Sequence, residues 1–478
     1  MSQPDLDQIK TLELTLNQLL NQRNYKQALC LLNLIPAKDH RILLLKVQIL
    51  KEMGQFESAF KIIDQELEQI PYSMVPYEKI LFNFLSQNFN CPKFLEKYPP
   101  LNKDRLIIYD RLFPTLKCSF TTVEFNAYLQ HFPETCVYST ATDLYSLEKR
   151  SFEEVKASYL AKYPQSPEKI QRLSARSDFR SKLLYTLFLR NIFEIIELIE
   201  KCKTPFIFTL YAGGDYCMND KRSDSMLRRV TQSPCFRKVI VIECVTRDYL
   251  LSKQFVNEED IEFIYGPITN RDYLLQNQQP KKYYKQDKDT FDICFVAYKH
   301  TPLGRDKGYD IFIQVAHNLC KQYHNIRFHV VGNFGPEDID VTFLDGKINF
   351  YGSQPMNFFP QFHASMDIIL SPCLPFVLAP GAFDGAPNVS TIEAGLCGVA
   401  IFVTDQLKQN TNFKSGEHLA IIPHDAWMIS DMVEYYYKNY DELYAMAKRG
   451  KEAFERVYSF ESQIQPRIKL LGYYLKPF

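Results

Sequence analysis

From Arg105 onward, the chain alternates short apolar runs with amphipathic segments. The segments between the runs carry apolar residues at three- and four-residue spacing, as helices do. Regular alternation of this kind is typical of parallel sheets whose strands are joined by helices. The sequence predicts strands at 105–110, 135–140, 205–211, 238–244, 261–266, 291–298, 326–332, 347–352, 367–372, 399–404 and 419–423. The fold class is therefore α/β.

A polar stretch at 269–290, TNRDYLLQNQQPKKYYKQDKDT, divides these strands into two series, as a linker between domains does. We predict two tandem Rossmann-like domains, the first at 101–282 and the second at 283–458. An all-α domain at 1–100 precedes them, and a helix within 459–478 returns to the first Rossmann-like domain. Ligands of such sheets bind beyond the carboxyl ends of the strands, so that the functional site is expected there.

The all-α domain repeats one helical pattern. Tyr25 and Ala28 in NYKQALCLLNLIP align with Phe56 and Ala59 in QFESAFKIIDQELEQIP, 31 residues later. A small alanine lets paired helices approach each other, and the region resembles tetratricopeptide repeats, with a third, degenerate unit expected at 76–98. Two interpretations stay open. The repeats bind a protein partner or a second copy of the chain, or they only cap the next domain.

Composition excludes several classes of protein. Lysine plus arginine equals aspartate plus glutamate at 56 each, so that no overall charge favours a nucleic-acid partner. The start of the chain lacks a signal-peptide pattern and no apolar stretch is long enough to span a bilayer, so that we expect a cytoplasmic protein. The arginine-rich stretch at 172–193 is expected to be helical, with a face that is either solvated or peripheral to the inner side of a membrane.

Residues 384–405, DGAPNVSTIEAGLCGVAIFVTD, combine an acidic turn with a glutamate-bearing helix. Free amides at a helix start favour an anionic diphosphate, and a nearby carboxylate can accept hydrogen bonds from vicinal hydroxyls. The segment resembles the signature of family-4-type glycosyltransferases of the GT-B fold, in which two acidic residues flank seven others. In that family the first acid contacts the donor sugar and the second holds the ribose. The matching residues are Asp384 and Glu393, with eight residues between them.

A second match follows the first strand of the second series, in YKHTPLGRDKGYDIFIQVAHNL. The resembling enzymes have a basic residue after this strand and a lysine before a glycine at the next helix, both facing the diphosphate. Lys307 matches the lysine. The other basic residue is Lys299, with His300 and Arg305 as alternatives. A lysine at a helix start is unfavourable with the helix dipole, and a bound anion would account for it.

The resemblance also implies donor contacts at strand ends and in the loop before the helix. These residues are Gly332, Asn333, Gly352, Ser353, Gln354, Gly385, Ala386, Pro387 and Asn388. On the acceptor side, Gly213, Gly214 and Asp215 directly follow a buried strand. Asp215 is either an acid or base for the acceptor or the N-cap of the next helix. Catalysis is thus expected to involve Lys307, Asp384 and Asp215.

The resemblance implies an enzyme that moves a sugar from a UDP- or GDP-sugar to a glycan, a lipid-linked acceptor or a polypeptide. By the same resemblance it retains the anomeric configuration and uses neither a metal nor another cofactor, and bacterial surface-polysaccharide synthesis is one setting that fits. The spacing of eight and the absence of a glycine pair after the first strand leave an alternative. In that alternative, the chain is a scaffold whose repeats bind partner proteins and whose transferase-like body has little activity.

Overall fold

A computed structural model describes residues 6–33, 40–69, 81–86, 105–141, 149–344 and 346–476. Contacts between Cα atoms divide the chain into two compact units. The first unit comprises Met1–Thr115, Cys136–Leu184 and Glu194–Pro205, and the second comprises Leu116–Thr135, Tyr185–Phe193 and Phe206–Phe478. None of the helices in the described ranges is long and apolar enough to cross a membrane.

Two helical pairs begin the chain. They are α1 (Leu6–Asn21) with α2 (Tyr25–Asn33), and α3 (His40–Glu52) with α4 (Phe56–Gln69). Ala28 and Ala59 are fully buried, and the turns before α2 and α4 have positive φ at Arg23 and Gly54. The 31-residue offset therefore recurs in the helix starts, the turns and the buried alanines, while the tetratricopeptide identity stays a prediction. The expected third unit lies outside the described residues except for 81–86, which are helical.

The first sheet has seven strands in the order β3-β2-β1-β4-β5-β6-β7. Its strands are β1 (Leu106–Asp110), β2 (Thr135–Ser139), β3 (Ile170–Arg172), β4 (Leu183–Leu187), β5 (Phe206–Leu210), β6 (Phe236–Val241) and β7 (Ile261–Phe263). Its helices are α5 (Ser119–His131), α6 (Phe152–Lys162), α7 (Leu189–Cys202), α8 (Lys221–Thr231) and α9 (Cys244–Ser252). The next helix, α10 (Arg271–Gln276), joins the second sheet, because its Leu274 lies in an apolar cluster of that sheet. The five predicted strands of this series are confirmed, and β3 and β4 are additional.

The helix predicted at 172–193 is wrong over most of that stretch. β4 occupies Leu183–Leu187, where all five residues are buried, and α7 begins only at Leu189. A strand that is buried on both faces is apolar throughout, so that periodicity cannot distinguish it from a buried helix. The predicted helical face, solvated or at a membrane, is therefore absent from Leu183–Leu187.

The second sheet has six parallel strands in the order β10-β9-β8-β11-β12-β13, which is the Rossmann order. The strands are β8 (Phe291–Val296), β9 (Ile326–Val331), β10 (Ile348–Phe350), β11 (Ile368–Ser371), β12 (Ala400–Val403) and β13 (Ala420–Ile421). The helices are α11 (Tyr309–Cys320), α12 (Phe359–Ala364), α13 (Val389–Leu396), α14 (Ala426–Lys438) and α15 (Tyr440–Val457). All six strands were predicted, and each face of the sheet is covered: Ile293 and Phe295 join one apolar cluster and Cys294 the other.

The last helix, α16 (Phe460–Leu475), begins after Ser459, whose side chain accepts a hydrogen bond from the Ser462 amide. It packs against α5 of the first sheet. The contact includes a buried ion pair in which Nε of Arg467 lies 3.8 Å from Oε1 of Glu124, with both side chains inaccessible to solvent. The hydroxyls of Tyr128 and Tyr185 also donate to this carboxylate oxygen.

Candidate functional site

The strand order of the second sheet reverses between β8 and β11, and the loops that follow these two strands meet. Nζ of Lys307 lies 2.5 Å from Oδ2 of Asp384 and 3.9 Å from Oδ2 of Asp306. The Lys307 side chain is 14% exposed, while that of Asp384 is 35% exposed. Burial lowers the pKa of Lys307, but the nearby anionic groups, first among them Asp384, outweigh burial and raise it overall. Lys307 is therefore a permanent, fixed cation at the switch point.

Two glycines let the loop backbones come this close. Gly308 has φ 75°, and a Cβ added there would lie 2.0 Å from the carbonyl oxygen of Pro372. Gly332 has φ 135°, and its Cβ would lie 1.8 Å from the carbonyl oxygen of Ala297. A side chain at either position is excluded. The ends of β8, β9 and β11 thus converge around Lys307.

Replacing Gly308 with alanine is expected to destabilise the protein by about 3 kcal/mol, because left-handed backbone strain and a clash with Pro372 add together. Gly416 is a matched control, since it has φ 79° with no atom within 4 Å of its added Cβ. Gly416→Ala should therefore cost only about 1 kcal/mol of strain. Urea unfolding followed by circular dichroism measures both. Equal losses in the two variants would contradict the close approach at Gly308.

The start of α13 lies beside this pair. Oδ1 of Asn388 accepts the Thr391 amide at 3.1 Å, and its Nδ2 donates to Oγ of Ser371 at 3.2 Å. The Asn388 side chain thereby caps the helix and ties it to the end of β11. Glu393 is half-buried and is the fifth residue of α13, one turn further from the helix start than the sequence indicated. The first turn of a helix leaves backbone amides without intrahelical acceptors, and such amides can donate to an anion.

A cavity adjoins the loop at 372–388, between β11 and α13, which carries predicted donor contacts and is called the donor loop below. It is lined by Asp384, Gly385, Ala386 and Asn388 after β11 and by Thr404, Asp405 and Gln409 after β12. Nε2 of Gln409 donates to the backbone oxygen of Asp384 at 2.8 Å, and Asp405 accepts the Gln409 amide at 2.7 Å. The segment after β12 thus fixes the donor loop. The sequence prediction missed this segment because these contacts join residues that are far apart in the chain.

Lys299, the second cation predicted to face the diphosphate, already pairs with a carboxylate. Nζ of Lys299 pairs with Oδ1 of Asp338 at 2.6 Å, and its backbone amide donates to Oδ1 of Asn333 at 2.6 Å. Among the alternatives, His300 is exposed, and Arg305 is exposed with its Nε 4.0 Å from Asp310. Lys299 and Asn333 therefore join the loops after β8 and β9.

The predicted base contacts lie at the same edge of the sheet. The carbonyl of Gly352 accepts the Gly332 amide at 3.0 Å, and the side chain of Gln354 donates to the backbone of Tyr351. Gly352 and Ser353 are exposed. The structure thus brings the ends of β9 and β10 together, with Gly352 and Ser353 accessible to a ligand.

On the acceptor side, Asp215 follows Gly213 and Gly214 after β5, but its carboxylate is already paired. Arg190 donates to both of its oxygens, at 2.9 and 2.7 Å, and Arg222 lies 3.5 Å away. This pairing argues against a role as general base. The alternative interpretation is wrong, because Asp220 caps α8 by accepting the Ser223 amide at 2.8 Å.

The loops after β5 and β6 face the donor loop directly. The Met218 amide donates to the Gly381 carbonyl at 2.9 Å, and the Tyr216 and Phe383 rings are 6.0 Å apart. Glu243 also reaches this place, since its Oε1 lies 3.8 Å from a Cβ added to Gly385. The sequence prediction missed Glu243 because it extended the strand to Cys244, whereas β6 ends at Val241. In the described ranges, no group of three or more His, Cys, Asp or Glu side chains is arranged to hold a metal ion.

Comparison with known proteins agrees with this geometry. Residues 280–453 match the family described as glycosyl transferases group 1. A glycosyltransferase from Rickettsia africae ESF-5 is similar in structure, with 15% identity, 79% of this chain and 100% of that chain covered, and a TM-score of 0.58. Alr3699/HepE of Anabaena in complex with UDP and glucose is also similar in structure, with 12% identity and a TM-score of 0.56. The comparison covers 77% of this chain and 99% of that chain.

Sucrose-phosphate synthase from Thermosynechococcus elongatus gives 13% identity, 77% and 98% coverage, and a TM-score of 0.51. No curated protein matches this chain in sequence. The two Rossmann-like sheets have the GT-B arrangement of these solved structures. The chain has the GT-B fold of these solved structures, and its residues 280–453 match the glycosyl transferases group 1 family.

Proposed function

We propose that the chain transfers a sugar from a UDP-sugar whose diphosphate binds between Lys307 and the start of α13. The observation that carries this proposal is the fixed Lys307 cation beside a helix start at the switch point of the second sheet. Alr3699/HepE was solved with UDP and with UDP-glucose, which makes UDP the first base to test, and GDP the second.

In this mechanism, charge develops on the departing diphosphate, and Lys307 with the α13 amides stabilises it without a metal. Asp384 neutralises Lys307 in the absence of donor. When the diphosphate binds Lys307, Asp384 contacts the donor sugar instead. Glu393 accepts hydrogen bonds from the ribose hydroxyls. The exposed backbone of Gly352 and Ser353 holds the base, with Gln354 beside it. Retention of the anomeric configuration follows from the family resemblance.

The acceptor in this proposal is a glycan or a lipid-linked carbohydrate that approaches along Gly213 and Gly214, at the carboxyl edge of the first sheet. Glycines there allow close backbone approach to a substrate. A role in surface-polysaccharide synthesis fits such an acceptor. The helical pairs α1 to α4 would then hold a partner enzyme or a second copy of the chain.

The experiment offers the purified protein UDP-, GDP- and CMP-sugars and records thermal stability and donor hydrolysis. One donor is expected to raise the melting temperature. Glu393→Gln should weaken its binding about 10- to 100-fold, because a charge-assisted hydrogen bond contributes roughly 1.5–3 kcal/mol. Glu452→Gln, at an exposed glutamate of α15, is the control and should bind normally. If no donor stabilises the protein, the proposal fails, and binding without hydrolysis or transfer would favour the scaffold.

A further inference from the structure

Glu243 is a buried carboxyl group that the proposed mechanism does not use. It follows β6 and precedes α9, and only 7% of the residue is exposed. Its one side-chain hydrogen bond in the described ranges comes from the Thr246 hydroxyl, at 3.4 Å, and no lysine or arginine there pairs with it. Burial raises the pKa of Glu243 to about 8. A buried acid without a cation is costly, and such groups are concentrated at functional sites.

The surroundings of Glu243 are rich in hydroxyl groups. Four buried or half-buried tyrosines lie within electrostatic reach of its carboxyl, namely Tyr211, Tyr216, Tyr265 and Tyr458. The Tyr458 hydroxyl is buried and forms no hydrogen bond within the described part of the chain. Buried polar groups in native proteins normally have partners. An unpartnered phenol near a carboxyl without a cation therefore points to a ligand that supplies hydroxyl groups.

The donor loop fixes which part of a ligand would reach this carboxyl. Oε1 of Glu243 lies 3.8 Å from a Cβ added to Gly385, and Gly385 adjoins Asp384, the partner of Lys307. A diphosphate at Lys307 therefore places the sugar attached to it along the Gly385 backbone. The carboxyl of Glu243, which follows a strand of the other sheet, lies beside this same backbone.

We propose that Glu243 hydrogen-bonds a hydroxyl of the transferred sugar and thereby determines which sugar ring the enzyme accepts. This inference rests on the proposed function, since it assumes a donor diphosphate at Lys307. A site built to bond a hydroxyl strongly rejects an analogue that lacks it, because the buried protein group then has no partner. Because Gly385 has no side chain, no side chain at this position covers the carboxyl of Glu243.

Titration calorimetry with UDP, UDP-glucose, UDP-galactose and UDP-N-acetylglucosamine tests this assignment. The unchanged protein should bind one UDP-sugar more tightly than UDP. Glu243→Gln and Glu243→Ala should bind UDP within twofold of the unchanged protein and bind the preferred UDP-sugar at least tenfold more weakly. Glu258→Gln, at an exposed glutamate that precedes β7, is the matched control and should change neither affinity.

Deoxy analogues of the preferred UDP-sugar identify which sugar hydroxyl Glu243 bonds. Their binding to the unchanged protein is a test that does not require the Glu243 variants to fold. One deoxy analogue should bind the unchanged protein at least tenfold more weakly, and Glu243→Gln should show no further loss with that analogue. The assignment is overturned if both Glu243 variants keep the full preference for the sugar, or if only transfer falls, which would place the carboxyl at the acceptor. If the unchanged protein binds neither UDP nor any UDP-sugar, the proposed function fails as well.

Discussion

Replacing Lys307 with methionine is expected to reduce kcat/KM for sugar transfer at least a hundredfold. Its ammonium group is the fixed cation at the switch point, and burial beside Asp384 holds it in place. A single preorganised group that stabilises developing charge contributes roughly 10²–10³ in rate. Methionine preserves an apolar stem close to that of lysine and removes the ammonium group with its hydrogen bond to Asp384, so that the packing of the loop before α11 is retained. Initial rates with the donor found in the panel, at saturating and limiting donor, provide the measurement.

Two further variants separate charge from structure. Lys307→Arg keeps a cation and should recover part of the activity, although a planar guanidinium does not fit a site shaped for an ammonium group. Lys321→Met removes an exposed lysine that follows α11 and should leave the rate unchanged. A Lys307→Met enzyme with kcat/KM within threefold of normal would show that the leaving diphosphate is stabilised elsewhere.

The second sheet could be predicted almost completely from the sequence, because each of its strands is a short apolar run flanked by polar turns. β4 could not, because the residues that follow it are apolar as well and α7 begins two residues after it. Hydrophobic periodicity thus predicts where apolar segments lie, but it does not predict where one element ends and the next begins when both are apolar.

The site shows the same limit at the level of side chains. Family resemblance identified Lys307 and Asp384 individually, but their contact joins residues that are 77 positions apart, and no spacing rule indicates it. The pairing of Lys299 with Asp338 and of Asp215 with Arg190 likewise depends on how loops meet. Glu243 carried one signal, an acid at the carboxyl end of an apolar run, which became interpretable only when the end of β6 was known.

Replacing Arg467 with methionine is expected to reduce the free energy of unfolding by about 3–5 kcal/mol, because it leaves the Glu124 carboxylate buried without a countercharge. Both side chains are fully inaccessible, and they join α16 to α5. Glu124→Gln should also destabilise the protein, by leaving Arg467 unpaired. The double variant should lose less than the sum of the two single losses. Additive losses would contradict a coupled pair.

The loss of unfolding free energy in Arg467→Met should also depend on pH. Burial raises the pKa of Glu124 above its ordinary value, and Arg467 opposes that rise in the unchanged protein. Without Arg467, the pKa of Glu124 is higher in the folded state than its value of about 4.3 in the unfolded state. Above about pH 4.3 the folded state therefore holds a proton that the unfolded state has released, and the protein loses stability as pH increases. Denaturant unfolding at pH 5 and pH 8 should therefore show a larger deficit at pH 8. A deficit that is equal at both pH values would mean that lost packing of the arginine stem, not the unpaired carboxylate, destabilises the variant.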